Sequence, residues 1–142
     1  AGIRIHEKSI DRFKNKIREL TRRNQGRSLE YMLQKLRQYT TGWLNYYAIA
    51  DMKDFIQQAN GWIKRKIRCY IWKQWKRIKT RSENLQALGV PRSKAWEWAN
   101  TRKGYWHISN SWILNKTLTD KRIIQMGYDD IFIRYNELHS SY

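Results

Sequence analysis

Between Trp62 and Lys79 the sequence reads WIKRKIRCYIWKQWKRIK, with eight Lys or Arg, three Trp and no acid. No other stretch restricts the fold as much. Wound as a helix at about 100° per residue, it places Ile63, Ile67, Tyr70, Ile71, Gln74 and Ile78 on one face. Lys64, Arg65, Lys66, Arg68, Lys73, Lys76, Arg77 and Lys79 fill the rest of the circumference. Trp75 sits at the margin, and Trp62 and Trp72 fall among the charges. Such a helix can be neither interior nor solitary: its charges need water and its apolar stripe needs partners.

Two upstream segments supply those partners. Ser9 is placed to cap a helix with Ile10, Phe13, Ile17 and Leu20 on one face, ending near Asn24-Gln25-Gly26. Ser28 is placed to cap the next, with Leu29, Met32, Leu33, Leu36, Tyr39, Trp43 and Tyr47. Gly42 inside that run weakens it relative to Ala and marks a place where another helix could approach closely. The third helix starts between Asp51 and Gly61, because Asn60-Gly61 interrupts its opening. Three amphipathic segments with short joints predict an antiparallel three-helix bundle.

Beyond Lys79 the character changes. Residues 1–79 hold 20 Lys or Arg and 6 Asp or Glu, whereas residues 80–142 hold 9 and 6. That shift places a boundary near Lys79-Thr80, and 142 residues suffice for one ordinary domain or two small ones. The second part reads as short helices: Ser82–Leu88 stopped by Gly89-Val90-Pro91, and Arg92–Lys103 with Ser93 as cap and Gly104 as stop. A third runs Lys121–Met126, capped by Thr119-Asp120 and stopped by Gly127. Tyr105–Ile108 reads as extended. The expected fold class is all-α, a three-helix bundle followed by a smaller, mostly helical region.

The formal net charge is +17, with eight Trp and nine Tyr. Charge of that size repels itself in a compact chain and points to a polyanionic partner, and stacking rings beside cations are the pairing nucleic-acid binders use. One cysteine, Cys69, excludes an internal disulfide. Together with His6, His107 and His139 it permits no zinc-ligand spacing. No apolar run is long enough to span a membrane. A membrane-surface helix is disfavoured because lipid would compete for the stripe the bundle needs. The bland alternative is a solvated basic arc whose Trp side chains pack on the second region, but a neutral surface helix would intersperse Glu among its cations. Trp72, with Arg65, Arg68 and Lys76 around it, is a candidate stacking surface, and Lys73, Lys76, Arg77 and Lys79 are candidate phosphate contacts. Composition leaves RNA and DNA unresolved.

Particular words go further. RFKNKIRELTRRNQGRSLE (12–30), LRQYTTGWLNYYAIADM (36–52), GWIKRKIRCYIWKQWKRIKTR (61–81), NLQALGVPRSKAWEWANTRKGYWHIS (84–109) and ILNKTLTDKRIIQMGY (113–128) cover nearly the whole chain. In that order they resemble the C-terminal part of bacterial group II intron reverse transcriptase–maturases. The resemblance implies that residues 1–79 are the maturase-specific domain X, which doubles as the polymerase thumb, and that residues 80–142 belong to the downstream DNA-binding region. It implies as partners the intron RNA, the RNA–DNA template–primer duplex, target DNA, and the fingers and palm of the same polypeptide, in a bacterial cytoplasm and associated with the nucleoid. It implies no cofactor for this segment; a divalent metal, Mg2+, belongs to the parent polymerase. Carried over with it are the basic residues Arg18, Arg22, Arg23 and Arg27, then Lys64, Arg65, Lys66 and Arg68. From RKGYW come Arg102, Lys103, Tyr105 and Trp106. The sequence opens on Ala1 inside the pattern, as expected of a piece of a longer polypeptide.

Gly127-Tyr128-Asp129-Asp130 invites comparison with a polymerase site. Two-metal phosphoryl transfer needs carboxylates converging on ions about 4 Å apart, and reverse transcriptases carry Tyr-x-Asp-Asp, whereas Tyr and Asp are adjacent here. The expected role is a turn capping the helix that follows, so the segment is expected not to polymerise. A heteroduplex-binding processivity element without a splicing role is the alternative to intron RNA binding.

Overall fold

The computed structural model describes residues 3–142. Among them the chain is all-helical, nine helices without a strand. Helix α1 spans Glu7–Leu20, α2 Leu29–Tyr47 and α3 Lys53–Gln74. Five shorter helices follow, α4 Ile78–Ala87, α5 Arg92–Ala99, α6 Tyr105–Ser109, α7 Trp112–Thr117 and α8 Asp120–Gln125, before α9 at Ile131–His139. Phe13 of α1 is fully buried, with its ring centre 4.4 Å from Trp43 of α2 and 5.9 Å from Phe55 of α3. This aromatic hub joins the first three helices, and Ile17, Leu36, Leu44, Ile56, Ile63 and Ile67 continue the core around it.

Several local signals act as expected. Ser28 accepts from the Tyr31 N–H, Thr119 from Arg122, and Asp130 from both Phe132 and Ile133. Gly89 and Gly127 adopt φ of +98° and +120°. Behind each, the next residue's N–H reaches back into the helix, Val90 to Leu85 O and Tyr128 to Ile123 O, which closes both C-termini. Elsewhere the structure departs from expectation. His6 caps α1 in place of Ser9, which is buried inside the helix, and α1 stops at Leu20. Helix α3 runs unbroken through Asn60-Gly61 from Lys53. Ser93 caps nothing and α5 stops at Ala99. Tyr105–Ile108 is helical, because Arg65 and Ser109 both bond the Trp106 carbonyl and hold that turn closed. Nothing lies within 4 Å of a Cβ built at Gly42, so no helix approaches there.

The largest departure is the end of α3. It stops at Gln74 rather than Lys79, which leaves Gln74 exposed and puts Ile78, 45% exposed, in the first turn of α4. Arg81 of α4 reaches back to the Trp72 carbonyl with Nε at 3.3 Å and Nη2 at 3.2 Å. It thereby satisfies an acceptor that the helix end leaves without an intrahelical donor. The boundary expected at Lys79-Thr80 thus falls inside α4, and the core runs across it: Leu85, Ile108, Ile123, Ile131 and Tyr135 join the bundle residues in one buried cluster.

A buried polar network holds the later helices to α3. Lys64 Nζ lies 3.1 Å from Asp130 and 3.3 Å from Asp120. Arg68 donates to Asp120 at 2.8 Å and to the Leu118 carbonyl at 2.7 Å. Asn60 donates to both Asp130 oxygens at 3.1 Å and accepts from the Tyr128 hydroxyl at 2.6 Å. Burial raises the Tyr128 phenol well above its usual value, with Asp130 adding to it. Burial also pushes Asp130 upward, but the Ile133 N–H, Asn60 and Lys64 outweigh it and hold the carboxyl below the ordinary range. Asp129 is taken by Arg134 at 2.7 Å. Both acids of the Tyr-Asp-Asp run are therefore engaged in structure.

Asp130→Ala should cost on the order of 3–5 kcal/mol, because Lys64 keeps only the exposed Asp120 as partner. Asp130→Asn still caps α9, so the two variants should differ by about 0.5–2 kcal/mol. A depressed carboxyl pKa stabilises above the unfolded value near ~3.9 and loses that contribution as pH falls through the folded value. The deficit of Asp130→Ala, followed by urea denaturation, should therefore shrink as the medium is acidified below about pH 4.

Candidate nucleic-acid interface

Helix α3 distributes its cations by direction. One group turns inward: Lys64 and Arg68 are 9% and 6% exposed, fully engaged by Asp120 and Asp130 from the far end of the chain. The acid-free stretch that begins at Trp62 acquires its acids from α8 and the turn before α9. These two residues, carried over as binding residues, are structural here, since a phosphate would have to displace buried carboxylates. Trp72 is likewise corrected. It is 1% exposed, because the chain turns at Gln74 and α4 lays Arg81 over the indole at 4.5 Å. No base can stack on it.

The second group turns to the loop joining α1 and α2. Arg18, Arg22, Arg23, Asn24 and Lys66 line a cleft of about 320 Å³ together with Trp106 and Cys69. A second cleft of about 490 Å³ shares Arg23 and Asn24 and continues past Arg27, Tyr70, Lys73 and Lys76. The two form one basic path with no acid in its lining. The loop is tied to α3 at this point, since the Tyr70 hydroxyl and Gln74 both donate to the Arg27 carbonyl. Burial first, then Arg18 and Arg23, lowers the Lys66 pKa, with Cys69 opposing. Burial raises the Cys69 thiol pKa, against the lowering effect of the neighbouring Arg23 and Lys66. Uncompensated cations in so close a group repel one another, and a bound phosphate would relieve that repulsion.

Aromatic rings of α6 complete the face. Arg23, Lys73 and Arg81 surround the Tyr105 ring at 5.3, 5.3 and 5.5 Å. The Arg81 guanidinium beside it is the main cause that holds its phenol below the usual pKa; burial opposes, and Lys73 and Arg23 assist. Arg65 covers Trp106 at 3.8 Å from its ring centre while donating to the Trp106 carbonyl at 2.8 Å and to Ser109 Oγ at 3.2 Å. Arg65 is thus a clamp on α6 more than a phosphate ligand. Trp62 lies beneath Arg18 and Lys66 at 5.4 and 5.2 Å.

Of the residues expected at the site, the structure brings together Arg18, Arg22, Arg23, Arg27, Arg65, Lys66, Lys73, Lys76, Tyr105 and Trp106. Arg77 instead precedes α4, and Lys79 stands 3.9 Å from Glu83 on that helix. Arg102 and Lys103 are exposed in the joint before α6. Sequence reasoning missed Arg81. Its four-residue spacing from Leu85 puts it on the buried face of α4, but that spacing becomes visible only once α4 is known to start at Ile78.

The family model for the group II intron, maturase-specific domain matches residues 10–89. This span includes α1 from Ile10 onward and all of α2, α3 and α4, and hence the cations of both clefts. The chain belongs to that family, which gives it a group II intron maturase-related role. No curated protein matches the chain. No helix of the described residues is long and apolar enough to cross a membrane.

Trp72→Ala should lower stability by about 3–5 kcal/mol, measured by thermal or urea unfolding, without a selective loss of RNA binding. Replacing Arg22, Arg23 and Lys66 with Gln should reduce the salt slope of RNA binding by up to about 0.7–0.9 for each phosphate no longer neutralised. Replacing Lys64 and Arg68 with Gln should lower the melting temperature and leave that slope unchanged.

Proposed function

We propose that this chain binds group II intron RNA through the basic path between the α1–α2 loop and α3, and assists splicing by stabilising the RNA's active fold. The observation that carries this is the acid-free pair of clefts sharing Arg23 and Asn24, whose cations all lie inside the family-matched span. Phosphate contacts from Arg and Lys supply affinity and set the register of the RNA. Differential affinity for one RNA fold over its alternatives is all the maturase task requires. The RNA performs its own transesterifications, so the segment needs neither a nucleophile nor a metal.

The same face would grip a template–primer duplex when the bundle serves as the thumb of a parent polymerase. The Mg2+ of such a polymerase has no fitting carboxylates here: Asp129 pairs with Arg134, and Asp130 is consumed by Lys64, Asn60 and the start of α9. Residues 80–142 support the site by seating α6 against α3 and by supplying Asp120 and Asp130, and target-DNA contact would fall to their exposed cations.

Fluorescence anisotropy over a salt series, with a folded group II intron RNA, an RNA–DNA heteroduplex and duplex DNA, tests the proposal. Preference for the intron RNA that persists as salt rises is the expected result. Equal affinities that collapse together with salt would overturn it, and preference for the heteroduplex would favour a processivity role.

A further inference from the structure

We propose that Trp106 is a stacking platform for one unpaired base, and that the cleft beside it takes a single-stranded stretch of nucleic acid in preference to a duplex. This rests on the nucleic-acid reading above and narrows its ligand.

Three observations carry it. First, the ring is fixed in advance. Arg65 covers one face at 3.8 Å and holds the Trp106 carbonyl and Ser109 Oγ by hydrogen bonds, so little freedom remains to be lost when a base arrives. Second, the ring stays accessible, with Lys66 Nζ, 5.5 Å from its centre, as the other cation near it. Trp106 is 39% exposed, and that surface lines the cleft holding Arg22, Arg23 and Lys66. A base on the ring would have cations lining the same cleft to receive its flanking phosphates. Third, the other rings nearby are less accessible. Tyr105 is partly buried beside three cations and Tyr70 and Trp72 lie in the core, so Trp106 is the exposed ring in the lining of the two clefts.

The geometry also disfavours a duplex at this point. A paired helix keeps its bases stacked inside and offers a cleft only phosphates and sugars, whereas an unpaired strand splays bases that can reach a ring. The path onward through Arg23 and Asn24 to Arg27, Lys73 and Lys76 gives the strand's backbone a continuous cationic track. Stacking on indole is tolerant of base identity, so the platform selects for strandedness rather than sequence.

The probe is a labelled RNA strand of about 12 nucleotides, within the span that such grooves accommodate, compared with the same strand annealed to its complement. Trp106→Ala should weaken single-strand binding roughly 5- to 150-fold, the equivalent of ~1–3 kcal/mol for one stacked base, and leave duplex binding unchanged. Trp106→Phe should retain most of the single-strand affinity. A 2-aminopurine within the strand should be quenched on binding to the unmodified protein, a readout independent of whether Trp106→Ala folds. Equal losses on both probes, no loss on either, or no quenching would each overturn the proposal. Failure of the intron-RNA preference with the Trp106 effect intact would remove the maturase reading alone; the reverse pattern would remove this one alone.

Discussion

The fold turns on Lys64. An ammonium on a long helix, nearly out of reach of solvent, is tolerated only because carboxylates meet it at 3.1 and 3.3 Å. Both come from elements more than fifty residues later in the chain. Breaking such a pair is costly even where forming it gains little over an apolar contact. The pair therefore acts chiefly as a register device: α8 and the start of α9 have one seat on α3, and Asn60 and Tyr128 fix it from the side. With those helices seated, Tyr135 can reach the turn between α2 and α3, donating to Ala50 O while accepting from the Met52 N–H. His139 adds contacts to Ala48 O and Asp51 at the same turn. The last helix of the chain thus closes the corner of its first bundle.

That arrangement explains how one helix with eight cations nearby serves two purposes. Lys64 and Arg68 are neutralised within the fold, whereas Lys66 and Lys73 face the α1–α2 loop, where Arg22, Arg23 and Arg27 add charge of the same sign. The polar interior is complete: among the described residues no buried side-chain nitrogen or oxygen lacks a partner. Uncompensated positive charge is concentrated instead in the clefts, where it can act on a ligand without a competing carboxylate.

Much of this was legible from local chemistry. The caps at Ser28, Thr119 and Asp130 and the stops at Gly89 and Gly127 need only residues within one turn, and sequence reports those well. The apolar stripes of the first two helices were equally plain. What was hidden depends on distant partners. No local breaker ends α3 at Gln74; the break is held by Arg81 binding the Trp72 carbonyl. The turn at Tyr105–Ser109 is helical because Arg65, forty-one residues earlier, bonds Trp106. The helical wheel correctly separated charged from apolar positions on α3, but could not tell a solvated cation from one awaiting Asp120 or Asp130. It failed at Trp72 for the same reason, since a ring among charges looks exposed until Arg81 is laid across it.

Arg65 shows how the two halves of this molecule become one interface. As a free cation it would add one more phosphate contact, interchangeable with its neighbours and screened by salt. Held by the Trp106 carbonyl and Ser109, it spends its hydrogen bonds on α6 and its flat face on the indole. A planar guanidinium can do both at once; an ammonium at this position could not stack in the same way. The consequence is a division of labour across the cleft, in which α1, its loop and α3 provide charge that any polyanion would satisfy. The aromatic turn from beyond the family-matched span provides a surface that rewards only an accessible base. Affinity and discrimination therefore arise from different elements lining one cleft, and the network around Lys64 keeps those elements in register.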